Sequence, residues 1–193
     1  RHINAWLLKG DMERLLGDLK ATEAAYAQAV RINPASPTAR VEHAQSALAL
    51  NNLTAAERDI EVLHKDYAKH YLTHYLQAVL DIRQGKVQSA MDHLQETLRQ
   101  KPQHLLSLIL LGSIQLDQGS PATAENTLGK ALTQAPSNRL VRQLLAKSQI
   151  KLNQPERALE TLQPLLTLED PEAIDFGLAG EAYMQLGNVD QAK

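Results

Sequence analysis

The sequence predicts an all-α fold: a solenoid of helix-turn-helix hairpins that repeats every 34 residues. Three columns predict it. Stepping by 34 from Gly119 lands on Gly17, Asn51, Gly85, Asn153 and Gly187, so every step is Gly or Asn. These residues tolerate the left-handed backbone just past a helix end. Stepping from Gly112 gives Gly10, Ala44, Ala78, Ala146 and Gly180; stepping from Ala124 gives Thr22, Ala56, Ala90, Ala158 and Ala192. Small side chains are needed where two helices approach closely. An aromatic content of only 4% beside 44% apolar residues suits helices better than strands.

The units start at Ile3, Pro37, Tyr71, Leu105, Arg139 and Ala173. Residues 1–193 therefore read as one solenoid with five full repeats and the first 21 positions of a sixth, 193 minus 172. Each first helix is expected to run about fourteen residues, and each second helix about as long. Ser36-Pro37 and Asp170-Pro171 each place an N-cap residue before a proline at the first helical position. Ser120-Pro121 does the same for a second helix, and Gln154-Pro155 supplies the proline alone. Pro34, Pro102 and Pro136 close their units, because proline does not continue a helix. The second repeat has no such proline, so its second helix is expected to run on toward Tyr71. Pro164 is expected to kink or shorten the second helix of the fifth repeat. With a partial last unit, the chain reads as a piece of a longer array whose ends would expose apolar surface and pair copies of the chain.

Leu111-Gly112, Ala124, Leu128 and Pro136 together resemble the tetratricopeptide repeat (TPR), which implies a right-handed superhelix. Departures exist: the aromatic early in the first helix is read only as Trp6, with Arg40, His74, Leu108, Arg142 and Asp175 as its equivalents. The later tyrosine stands only as Tyr183. By resemblance, function lies on the inner face built by the first helices. That face offers Leu7, Asp11 and Arg14, then Val41, Gln45 and Leu48. The third and fourth repeats offer Leu72, Tyr75, Val79, Ile82, Leu106, Ile109 and Leu116, with Ser113 the polar exception; Gln143, Lys147 and Lys151 follow. An apolar stretch with polar ends suits an extended or helical apolar segment of a partner protein. The same side chains also suit plain helix-to-helix packing, and periodicity does not separate the two readings.

Several partners and chemistries are argued down. A carboxylate clamp of the chaperone-binding type would need Lys and Asn where Leu7 and Asp11 stand. The asparagine ladder of sugar-transferase arrays is replaced by Leu8, Glu42, Leu76, Leu110, Leu144 and Leu178. A net charge of −2 gives no field for nucleic acid, and no apolar run is long enough to span a membrane. Zero cysteines exclude thiolate metal sites and a Cys nucleophile. No phosphate-binding or nucleophile-elbow motif occurs, so neither catalysis nor a cofactor is expected. His70 and His74 stand four apart, with His64 and Tyr71 near, but the helix is expected to begin at Tyr71 and surface histidines are the preferred reading over a zinc site.

A narrower resemblance rests on HLLSLILLG from His104 to Gly112, PSNRLVRQLLA from Pro136 to Ala146, PERALETLQPLL from Pro155 to Leu166 and GEAYMQLG from Gly180 to Gly187. These resemble the long periplasmic TPR lipoproteins of PEP-CTERM/exosortase systems. The resemblance implies an exported, lipid-anchored scaffold associated with exopolysaccharide production. A passive spacer within a larger protein and a cytoplasmic adaptor are the alternatives.

Overall fold

The computed structural model describes residues 2–188 and 190. Among the described residues the chain forms eleven α-helices and no strand. It divides into two compact units, residues 1–100 and 101–193. The first contains α1 (Ile3–Leu15), α2 (Leu19–Ile32), α3 (Pro37–Ala49), α4 (Leu53–Tyr67), α5 (Tyr71–Arg83) and α6 (Val87–Gln100). The second contains α7 (Leu105–Asp117), α8 (Pro121–Gln134), α9 (Arg139–Lys151), α10 (Pro155–Leu166) and α11 (Ala173–Gln185).

One turn is used in every hairpin. Gly17, Asn51, Gly85, Gly119, Asn153 and Gly187 all have positive φ, between 56° and 79°. The next residue's N–H then donates back to a carbonyl five residues earlier, as in Asn52 to Ala47 at 2.8 Å and Ser120 to Gln115 at 2.8 Å. This satisfies a carbonyl that the helix end would otherwise leave unpaired. Twice the same residue then caps the following helix: Asp18 accepts from the Ala21 N–H at 2.9 Å and Asn52 from that of Ala55 at 3.3 Å. One residue thus ends one helix and starts the next.

The small columns lie inside the hairpins. A Cβ on Gly10 would stand 2.3 Å from Cε1 of Tyr26, and one on Gly112 would stand 2.5 Å from Cγ of Leu128. Ala44, Ala78, Ala146, Ala56, Ala90, Ala124 and Ala158 are fully buried. Ala192 lies outside the described residues. In the first unit Ala44, Leu48, Ile60, Leu63, Leu76 and Leu80 form a continuous core over the second and third repeats. In the second unit, one cluster joins Leu116, Leu128 and Leu145. Another joins Ile150, Leu162, Leu165 and Leu178.

Three local expectations are corrected. α4 stops at Tyr67 instead of running on toward Tyr71, with Ala68 as its C-cap and a turn before α5. Asp170-Pro171 does not start a helix: α11 begins at Ala173, and the buried Asp175 carboxylate accepts from the Glu172 N–H at 2.9 Å. The Asp175 carboxylate is also held by Arg139 at 3.2 Å. The aromatic of the first helix returns in the sixth unit: the position 34 residues after Arg142 is Phe176, not Asp175. Pro164 shortens its helix: α10 has 12 residues, against 14 or 15 for the other second helices.

Candidate functional site

The first unit contains a cleft of about 290 Å³ between its second and third repeats. Pro37, Thr38, Val41 and Glu42 of α3 form one wall, and Leu72 and Thr73 of α5 the other. Leu63 and Tyr67 of α4 close the floor, with His70 at the connecting turn. The register explains this: α3 and α5 are both first helices, so their first turns stand side by side over the end of α4. The lining is mainly apolar and the volume suits one or two bulky apolar side chains.

Polar groups border the cleft. Arg14 donates to Glu42 at 3.0 Å and to Asp11 at 2.8 Å, and the Tyr26 hydroxyl donates to the same Asp11 oxygen at 2.7 Å. Burial, then the hydrogen bond to Asp11, pushes the Tyr26 pKa upward, so it remains a donor. Arg14 and Asp11 are about half exposed, which leaves the network open to a ligand's polar groups.

The sequence-predicted groove residues differ in exposure within each unit. Leu72 lines the cleft, while Tyr75 and Val79 are half-buried against the first unit's core and Ile82 is half-buried. In the second unit Leu106 is 52% exposed, but Ile109 and Leu116 are 8% and 2% exposed and belong to the interior. Gln143 is buried too: its amide donates to Asp175 at 2.8 Å and to Glu172 at 3.2 Å, which anchors the start of α11. Ser113 is half-buried, and Lys147 and Lys151 are exposed. Sequence reasoning included Val41 but missed Thr38, Leu63, Tyr67 and His70. The Pro37-Thr38 helix start and the absent proline after α4 were the available signals.

Polar residues also enter the hairpins in pairs. The fourth residue of a first helix meets the residue nineteen places later on the second. Arg40 donates to Asp59 at 2.6 Å, and His74 Nδ1 lies 3.0 Å from His93 Nδ1. Arg142 instead donates to the Thr161 carbonyl at 2.9 Å. His43 joins the first pair, with Nδ1 2.5 Å from Asp59. Burial lowers the His43 pKa, but its hydrogen bond to Asp59 and the charges of Asp59 and Glu23 outweigh that and leave it raised. His64 packs beside the second pair, its ring centre 6.1 Å from His74 and 6.0 Å from His93. Burial, followed by the charge of His93, lowers the His74 pKa. Burial likewise lowers that of His93 despite the opposing charge of Asp81. His70 is turned away: its Nδ1 accepts from the Leu72 N–H at 3.3 Å and its ring stacks on Tyr71.

Tetratricopeptide repeat models match residues 3–36, 41–104, 75–139 and 115–175. The chain belongs to the tetratricopeptide repeat family. No curated protein matches the TPR chain by sequence. Among solved structures it is similar to PilW, a widely conserved type IV pilus biogenesis factor, at 18% identity and a TM-score of 0.83, over 98% of this chain and 88% of that one. PilF of Pseudomonas aeruginosa gives 16% identity and a TM-score of 0.82, over 98% and 86%. YrrB, described as a TPR protein with an unusual peptide-binding site, gives 18% and 0.74, over 87% of each chain. At these identities the likeness establishes the fold. TPR folds generally mediate protein–protein interaction.

Proposed function

We propose that this chain is a non-enzymatic scaffold that seats an apolar side chain of a partner protein in the cleft between its second and third repeats. The observation that carries the reading is the cleft itself: an apolar recess on first-helix surface, bordered by the half-exposed Arg14–Glu42–Asp11 network. Desolvating the recess supplies affinity, and hydrogen bonds at its border fix the register of the bound segment. The setting we propose is the bacterial envelope, in exopolysaccharide or protein-sorting assembly. The similarity of four stretches to periplasmic TPR lipoproteins supports this setting. The fold shared with PilW, a type IV pilus biogenesis factor, agrees with an envelope setting.

Thr38 is exposed at the cleft mouth, so Thr38→Trp fills the recess without entering the core. Capture of partners from envelope extracts should fall at least about tenfold, a difference near 1.4 kcal/mol, with helical content and melting temperature unchanged. Undiminished capture by the variant would move the site away from the cleft. No capture by either protein would favour the spacer.

A further inference from the structure

We propose that His64, His74 and His93 form a transition-metal site in the first unit, taking Zn²⁺ through three imidazoles and leaving a fourth position to solvent. The residues come from three successive helices, α4, α5 and α6. Four-coordinate zinc with Zn–N bonds of roughly 2.0–2.1 Å places ligand nitrogens about 3.3 Å apart and ring centres about 5 Å apart. His74 and His93 already stand close to that spacing, with facing Nδ1 atoms at 3.0 Å and ring centres at 5.3 Å. His64 stands farther out, at 6.0 and 6.1 Å, so the three rings as placed do not close on a single ion position. It occupies the last turn of α4 and is partly exposed, so closing the site requires its ring to move inward by on the order of 1 Å through its side-chain torsions.

A second observation concerns the far side of the His93 ring. Its Nε2 lies 4.0 Å from Oδ2 of Asp81, which is 1% exposed. That carboxylate is held in place by Ser89 at 2.6 Å and Gln77 at 2.8 Å. A metal-binding histidine typically directs its other ring N–H to a carboxylate, which fixes tautomer and orientation. His93 thus presents one nitrogen to the His74 side and the other toward a buried anion 4.0 Å away, beyond direct hydrogen-bond reach until the ring shifts. The fold does not demand these rings, because Leu108 and Thr127 fill the same two positions in the fourth repeat.

The full chain, stripped of metal, should be titrated with Co²⁺ while the visible d–d bands are recorded, and with Zn²⁺ by calorimetry. One equivalent per chain, tetrahedral cobalt bands and a melting temperature that rises with Zn²⁺ are expected. His64→Gln, His74→Gln and His93→Gln should each weaken Zn²⁺ binding at least about tenfold, and Asp81→Asn by about 10–100-fold. His2→Gln, on an exposed residue ahead of α1, should bind as the parent does. Each variant is checked for parental helical content by circular dichroism. Absence of saturable binding by the parent, or parental affinity in folded His74→Gln and His93→Gln, would overturn the site.

Discussion

The second and third repeats place different chemistry at the same two positions. Arg40 and Asp59 form an ion pair in one; His74 and His93 place two like groups face to face in the other. Both hairpins keep the same turn and helix spans within two residues. The comparison separates two roles for a buried contact. Shape is set by the small columns and the left-handed turn, while the polar pair determines how much the hairpin depends on charge and pH. Asp59 is almost wholly buried and relies on Arg40 and His43, whereas neither histidine of the other pair needs a counter-charge when neutral.

Breaking the ion pair should have the largest effect. Arg40→Leu leaves Asp59 buried with His43 alone, and urea denaturation should show a loss of about 1.5–3 kcal/mol. Replacing both histidines as the fourth repeat does, His74→Leu with His93→Thr, should change stability by no more than about 1 kcal/mol, because neither polar group is left stranded. A loss as large as that of Arg40→Leu would show that the ring pair is as structurally obligatory as the ion pair.

The small column gives a comparison of intermediate size. Gly10→Ala drives a methyl into the rigid ring of Tyr26, whose hydroxyl is tied to Asp11, and should cost about 1–3 kcal/mol. Gly112→Ala meets Leu128, which can adopt another rotamer, and the gain in helix propensity of about 1 kcal/mol offsets the strain. Thermal melts of the two variants should differ clearly, with Gly10→Ala the lower.

The smallest effect is a pair of opposed pH dependences, read in metal-free buffer. His43 has a raised pKa, so its contribution is fully present below its ordinary value of 6.5 and is lost as pH rises through the raised value. His74 and His93 have lowered values, so theirs is present above 6.5 and is lost as pH falls through the lowered values. Asp81 and Glu96 moderate this second effect by favouring the charged rings. Melting temperatures against pH should therefore flatten on the acid side in the double histidine variant and on the alkaline side in His43→Gln.

The hairpin turns were legible because a single residue decides them: Asn51 and Asn153 fill a left-handed position as glycine does elsewhere. The site was less legible. A first helix in a solenoid is packed on several sides, so the stripe containing Ile109, Leu116 and Gln143 reads the same as the stripe containing Leu72. Only the fold shows that the first three are interior and the last is open to a cleft. The histidine cluster was obscured for another reason. Spacing along one helix pairs His70 with His74, but the true neighbour, His93, lies across the turn. Comparing the fourth residue of each unit with the one nineteen places later would have paired Arg40 with Asp59 and His74 with His93.

Within each unit, helices pack on those one or two places away along the chain. Such contacts close short loops, so the entropy of bringing partners together remains small and folding is fast for the chain's length. A nascent chain leaving the ribosome can therefore complete each hairpin once its second helix has emerged, long before the last residue is added. Synthesis and folding then proceed in the same direction, each finished hairpin serving as the template against which the next one docks.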